Sequence, residues 1–107
     1  MRSVMRFLTD TQVDGRFFPR GAEVQAIAAG DLALVLPDLR AHTALCAVPA
    51  RNLTPLTQFR VLLVNRRYGL MAEQFRWAVD ADEIRAFVDK NTPDCGIVEL
   101  DPFVWRA

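Results

Sequence analysis

In the first half of the chain, apolar positions recur at every second residue in short runs, and turn-forming residues cut each run. Residues 4–8 predict a strand. Asp14-Gly15 stands between Gln12-Val13 and Arg16-Phe17-Phe18, the pattern of a hairpin whose tight turn takes a positive φ at the glycine. Pro19-Arg20-Gly21 predicts a second turn, and residues 23–27 alternate as a half-buried strand does. Residues 32–36 are apolar without a break, which predicts a strand covered on both faces. A further run covers residues 43–48. Residues 49–55 form a connector bounded by Pro49 and Pro55, with room for one 3₁₀ turn.

The second half changes character. Residues 59–64 predict a strand and residues 65–69 a turn or loop. In residues 73–79, Phe75, Trp77 and Val79 fall on one face and Gln74, Arg76 and Ala78 on the other. A helix follows, with Asp80 placed to cap it and Glu83 to complete a D-x-x-E box. Asp82 and Glu83 near its start and Lys90 near its end suit the helix dipole. Ile84, Phe87 and Val88 form a stripe that predicts docking on a sheet, and Asn91 and Pro93 end the helix. Residues 96–100 predict a last strand, followed by an apolar tail with Phe103, Val104 and Trp105. The core expected from these patterns comprises Phe7, Phe17, Val24, Ile27, Leu34, Leu36, Val48, Leu62, Val64, Phe75, Trp77, Ile84, Phe87, Val88, Ile97 and Val98.

These elements predict an α+β fold that is mostly β. Residues 1–57 read as a small lobe whose short strands, separated by Gly and Pro turns, point to a rolled sheet or barrel. A long first hairpin, three short strands and a short turn before the end make it similar in architecture to an SH3-like barrel, with no family implied. Residues 58–107 read as a ββαβ lobe with one short helix. About 45 residues are too few to be stable alone, so the two lobes are expected to share one core.

Composition narrows the class. The chain has 107 residues, 51% hydrophobic and 24% charged, which excludes a disordered chain and a multidomain enzyme. Thirteen Lys+Arg balance thirteen Asp+Glu, which removes the simplest electrostatic case for a nucleic-acid or membrane-surface protein. Arg6 interrupts the only apolar stretch near the N-terminus, and the longest aliphatic runs, 32–36 and 61–64, fall far short of the ~20 residues that span a bilayer. A cytoplasmic protein without membrane contact is expected. Cys46 and Cys95 are too few for a disulfide framework and read as buried thiols of a reducing compartment. Lys90 is the only lysine among the basic residues. Arginine suits bidentate anion recognition, although a GC-rich coding genome accounts for the bias more simply.

Residues able to carry chemistry are few. His42 is the only histidine, and in an extended segment it would share a face with Ala44 and Cys46. A Cys–His nucleophile needs a lowered thiol pKa and an orienting third group, and neither is recognisable, so a minor enzymatic or redox role through His42 and Cys46 ranks last. Structural zinc wants four ligands, and His42, Cys46 and Cys95 offer three. The carboxylates sit at the helix start and at turns, and the glycines are scattered singly rather than gathered into a phosphate loop. The protein reads as a non-enzyme with no cofactor and no metal.

Charge is unevenly spread. Residues 40–79 carry six arginines against Glu73, a balance of +5, and residues 80–107 carry three basic residues against seven acids, a balance of −4. A nucleic-acid patch built from Arg60, Arg66, Arg67, Tyr68 and Arg76 is one reading, with Tyr68 available for stacking on a base. The other is that these arginines pair with the acidic helix inside the fold, or simply solvate a sheet face. The tail gives the favoured reading. Phe103 and Trp105 followed by Arg106 are the residue types that anchor interfaces, and short strands leave edges that a second chain can pair. By elimination, the sequence predicts a small accessory, adaptor or inhibitory factor that binds a protein partner or a second copy of itself.

Overall fold

A computed structural model of the chain describes residues 2–38 and 40–103. The chain divides into two compact units, Met1–Leu56 and Thr57–Ala107. Both are built on antiparallel sheets, and the one α-helix among the described residues lies in the second, so the fold is α+β and mostly β. Among the described residues, no helix is long and apolar enough to cross a membrane.

The first unit contains β1 (Arg2–Phe7), β2 (Thr11–Val13), β3 (Arg16–Phe18), β4 (Glu23–Ala29), β5 (Leu32–Leu36), β6 (Cys46–Pro49), a 3₁₀ turn at Ala50–Asn52, and β7 (Leu53–Pro55). Five of these strands form one sheet in the order β6-β5-β4-β1-β7, with β2 and β3 a separate hairpin. The described strands do not close into a barrel: β6 and β7 are sheet edges. Asp14 and Gly15 take φ of 51° and 75°, the two positive values that a type I′ turn requires. The connector expected at residues 49–55 holds the 3₁₀ turn, but its end is a strand. Leu53 pairs with Phe7 and Pro55 with Met5.

The sheet's inner face carries Met5, Phe7, Ala26, Ala33, Val35, Cys46, Val48 and Leu53, all buried. The hairpin closes over it by Phe18, whose ring stacks on Phe7 at 4.8 Å and 9°. Phe17 points away and is 60% exposed, which corrects its assignment to the core. Residues 32–36 are covered on one face, not two. Ala33 and Val35 are buried on that face; on the other, Leu32 is exposed, Leu34 is half-buried opposite Ile27, and Leu36 alone is buried.

The second unit contains β8 (Thr57–Asn65), β9 (Met71–Ala78), α1 (Ala81–Asn91) and β10 (Cys95–Pro102), with sheet order β10-β8-β9. The Asp80 carboxylate accepts a hydrogen bond from the Glu83 N–H at 2.9 Å, so the cap read in the sequence starts the helix. Thr92 ends it, with its N–H and its hydroxyl both donating to the Val88 carbonyl. Ile84 and Val88 pack on Phe59, Val61, Leu63 and Ala78, with Ile97 and Leu100 at the margin.

Strand phase is where the expected core fails. In β8 the residues facing the helix are Phe59, Val61 and Leu63, so Leu62 and Val64 lie on the opposite, outer face. In β9 it is Ala78 that faces the helix, which turns Phe75 and Trp77 outward. A register shift between Ile97 and Glu99 leaves Val98 exposed. Phe87 is 41% exposed, with the Arg76 guanidinium 4.3 Å from its ring centre. Most of the buried residues fall in two clusters, one in each unit, with Thr11, Leu36 and Leu56 buried outside them.

Candidate functional site

The five residues of the basic patch do not form one surface. Arg60 lies opposite Phe75 and Asp101 on the outer face of the second unit's sheet, whereas Arg76 lies opposite Phe59 on the helix side. Arg60 is paired from both flanks, its Nε with Glu73 at 2.6 Å and its Nη1 with Glu99 at 2.7 Å. Those carboxylates, Glu99 first, hold its guanidinium protonated beyond its ordinary range. Arg76 donates to the Gln74 side chain at 2.9 Å and covers Phe87. The partners of Arg60 are strand glutamates, not the acidic helix, and Arg76 meets a glutamine and an aromatic ring.

Arg66, Arg67 and Tyr68 remain together on the turn after β8. The turn is pinned by the Asn65 side-chain oxygen, which accepts from the N–H groups of Arg67 and Tyr68, both at 3.0 Å. Tyr68 is exposed, and Arg67 lies over its ring at 5.4 Å. Arg66 turns the other way, against the start of β10. A Cβ at Gly96 would lie 3.3 Å from its Nε and Nη2, so the missing side chain makes room for the guanidinium.

The outer face of the same sheet carries several exposed apolar side chains beside the Arg60 ion pairs. Met71 (56% exposed), Phe75 (45%) and Trp77 (39%) project from β9, and the half-buried Leu62 and Val64 continue the face on β8. Phe103 meets Phe75 edge to face, with ring centres 4.9 Å apart, and its N–H donates to the Gln58 carbonyl at 2.8 Å. Of the three tail residues singled out in the sequence, Phe103 is thus tied to the outer face. Trp105 and Arg106 lie outside the described residues. The alternation in residues 73–79 carried the signal for this face. Helix docking on the other face decides which set is covered.

His42 and Cys46 part company. Residues 42–45 are bent rather than extended, His42 is exposed, and Cys46 is buried in the first unit's cluster. Burial pushes the Cys46 thiol pKa up; Arg16 offsets part of the rise and Asp14 adds to it. A raised pKa is the reverse of what a nucleophilic thiolate needs. Both cysteines are free thiols. Iodoacetamide at neutral pH should modify the half-buried Cys95 well before Cys46, which should react only as the protein unfolds. Because folding raises its pKa, Cys46 supports stability below the unfolded thiol value of about 8.5, and that support is lost as pH rises through the folded value. Equal alkylation rates for the two thiols would contradict the assignment.

Among the described residues, no three His, Cys, Asp or Glu side chains come together to hold a metal ion. A cleft of about 380 Å³ opens between α1 and β10, lined by Arg66, Arg85, Val88, Asp89, Ile97 and Leu100 among others. No local pattern in the chain signals it, because it joins a turn, a helix face and a strand that are far apart in sequence. In comparisons with protein-family models, with curated proteins and with solved structures, nothing matches this chain.

Proposed function

We propose that the protein is a small non-enzymatic binding protein of the cytoplasm that acts through a protein–protein interface on the outer face of the β10-β8-β9 sheet. What carries this reading is the exposure of Phe75 and Trp77 next to each other on that face, with Met71 beyond Glu73 on the same strand. Exposed apolar side chains gathered on one face mark interaction sites, aromatic residues are frequent anchors, and the Arg60–Glu73–Glu99 ion pairs on the same face supply polar contacts beside them. Covering the exposed parts of Phe75 and Trp77 would contribute about 2 kcal/mol each at ~25 cal/mol per Å². The partner is another protein, a second copy included.

The finer architecture is part of the same proposal. An SH3-like reading of the first unit is supported by the strand order β6-β5-β4-β1-β7, the hairpin inserted between β1 and β4, and the 3₁₀ turn before β7. A ββαβ reading of the second is supported by its element order. Lobes at 1–57 and 58–107 are supported by a buried cluster in each unit.

Deleting residues 103–107 tests the interface. The truncated chain should stay folded, with a melting temperature within a few degrees of the parent, and should lose self-association or partner binding by light scattering. A sharp fall in melting temperature with association unchanged would place the tail in the fold instead.

A second reading, nucleic-acid binding, rests on the exposed Arg66-Arg67-Tyr68 turn. Its signature is affinity for a short oligonucleotide that falls steeply with salt and a slope that flattens when Arg66 and Arg67 become alanine. No binding at low salt would dispose of it.

A further inference from the structure

We propose that the cleft between α1 and β10 takes the C-terminal end of an extended peptide, which adds to the sheet as a strand beside β10 and delivers its terminal carboxylate to Arg66. Binding at this site does not require the aromatic residues of the outer face.

The backbone supplies the first part of the argument. β10 is an edge of its sheet. The Arg66 N–H donates to the Asp94 carbonyl at 2.9 Å, while the Asn65 N–H turns away to the Leu70 carbonyl at 2.7 Å. Residue pairs in an antiparallel ladder alternate between bonded and non-bonded. Val64 and Gly96 are therefore the next bonded pair, and the N–H and C=O of Ile97 face the open edge. Such an edge is a template for strand addition.

Charge and shape supply the second part. Every strand pairing in this sheet is antiparallel, and a strand added in that sense runs its C-terminus toward Cys95. Arg66 stands at that end, its guanidinium lying where Gly96 lacks a Cβ. Among the described residues this guanidinium makes no hydrogen bond or ion pair. Arg85, the other cation of the cleft, is held by Asp82 at 2.8 Å and has Asp89 one turn further along the helix. With Arg85 paired to Asp82, Arg66 is the guanidinium left to meet an incoming anion, and a planar guanidinium matches a carboxylate in two-point contact. Val88, Ile97 and Leu100 offer an apolar wall to the side chains that precede the terminus.

A library of random decapeptides with free carboxyl ends, selected on the whole chain, supplies the probes. Each selected peptide is then remade as the acid and as the C-terminal amide and titrated by fluorescence polarisation. The acid should bind at least tenfold more tightly than the amide. Arg66→Gln should remove that difference, Arg85→Gln should reduce it less, and the Ile97 amide should exchange more slowly in the complex. Phe75→Ser combined with Trp77→Ser should leave the affinity unchanged. Failure to select any peptide, equal binding of acid and amide, or an unprotected Ile97 amide would each overturn the proposal. Affinity lost with the Phe75/Trp77 variant but kept in Arg66→Gln would also overturn it, while leaving the outer-face interface standing.

Discussion

Phe7→Ala should destabilise the protein by about 3–5 kcal/mol, whereas Phe17→Ala should cost less than about 1 kcal/mol. Phe7 is 1% exposed and is the point at which the β2–β3 hairpin closes on the five-stranded sheet through the stacked Phe18 ring. Its removal opens a cavity that β1, bonded on both sides by β4 and β7, cannot collapse to fill. Both side chains are the same size and hydrophobicity, so the difference between the variants measures burial. Urea unfolding with an unchanged m-value checks it. Equal losses for the two variants would mean that the hairpin is turned over.

The second large effect is expected at the helix. Ile84→Ala should cost about 2–5 kcal/mol, while Phe87→Ala, which removes more atoms, should cost about 1 kcal/mol for the half-covered ring and its cation–π contact. Ile84 is 2% exposed against the sheet, and Phe87 sits at the solvent margin under Arg76. An isolated helix of 11 residues is marginal in water, so α1 depends on the docking of Ile84 and Val88. Helical circular dichroism of Ile84→Ala should therefore fall early in the urea titration, together with loss of the sheet signal. A larger cost for Phe87→Ala would place the apolar stripe of the helix one position away from where it lies.

Local signals in the chain were strong where one residue type has one physical use. Asp14-Gly15 has few options besides a tight hairpin turn, and Asp80 ahead of Glu83 marks a helix start; both features are present. Strand phase was readable only where polar residues alternate with apolar ones. The runs 32–36 and 61–64 are apolar at every position, so nothing local distinguishes Val35 from Leu34 or Val61 from Leu62. The sheet's choice rests on what packs against it, namely Val13 and Phe18 of the hairpin in one unit and Ile84 and Val88 in the other. The same limit hid the outer face. Phe75 and Trp77 are bulkier than Ala78 and read as core, yet α1 lies over the Ala78 side, where a small residue lets it approach. β7 was missed because Pro55 and its neighbours suit a connector, and only pairing with β1 makes them a strand.

Urea unfolding of the whole chain carrying Phe75→Ser together with Trp77→Ser tests the central claim most directly, because it asks whether the aromatic face serves the fold or a partner. With both side chains partly exposed on the outer face, the double variant should lose no more than about 2 kcal/mol. Two buried aromatics would cost about 6–8 kcal/mol in the same experiment, and a loss of that size would contradict the assignment of this face as a binding surface.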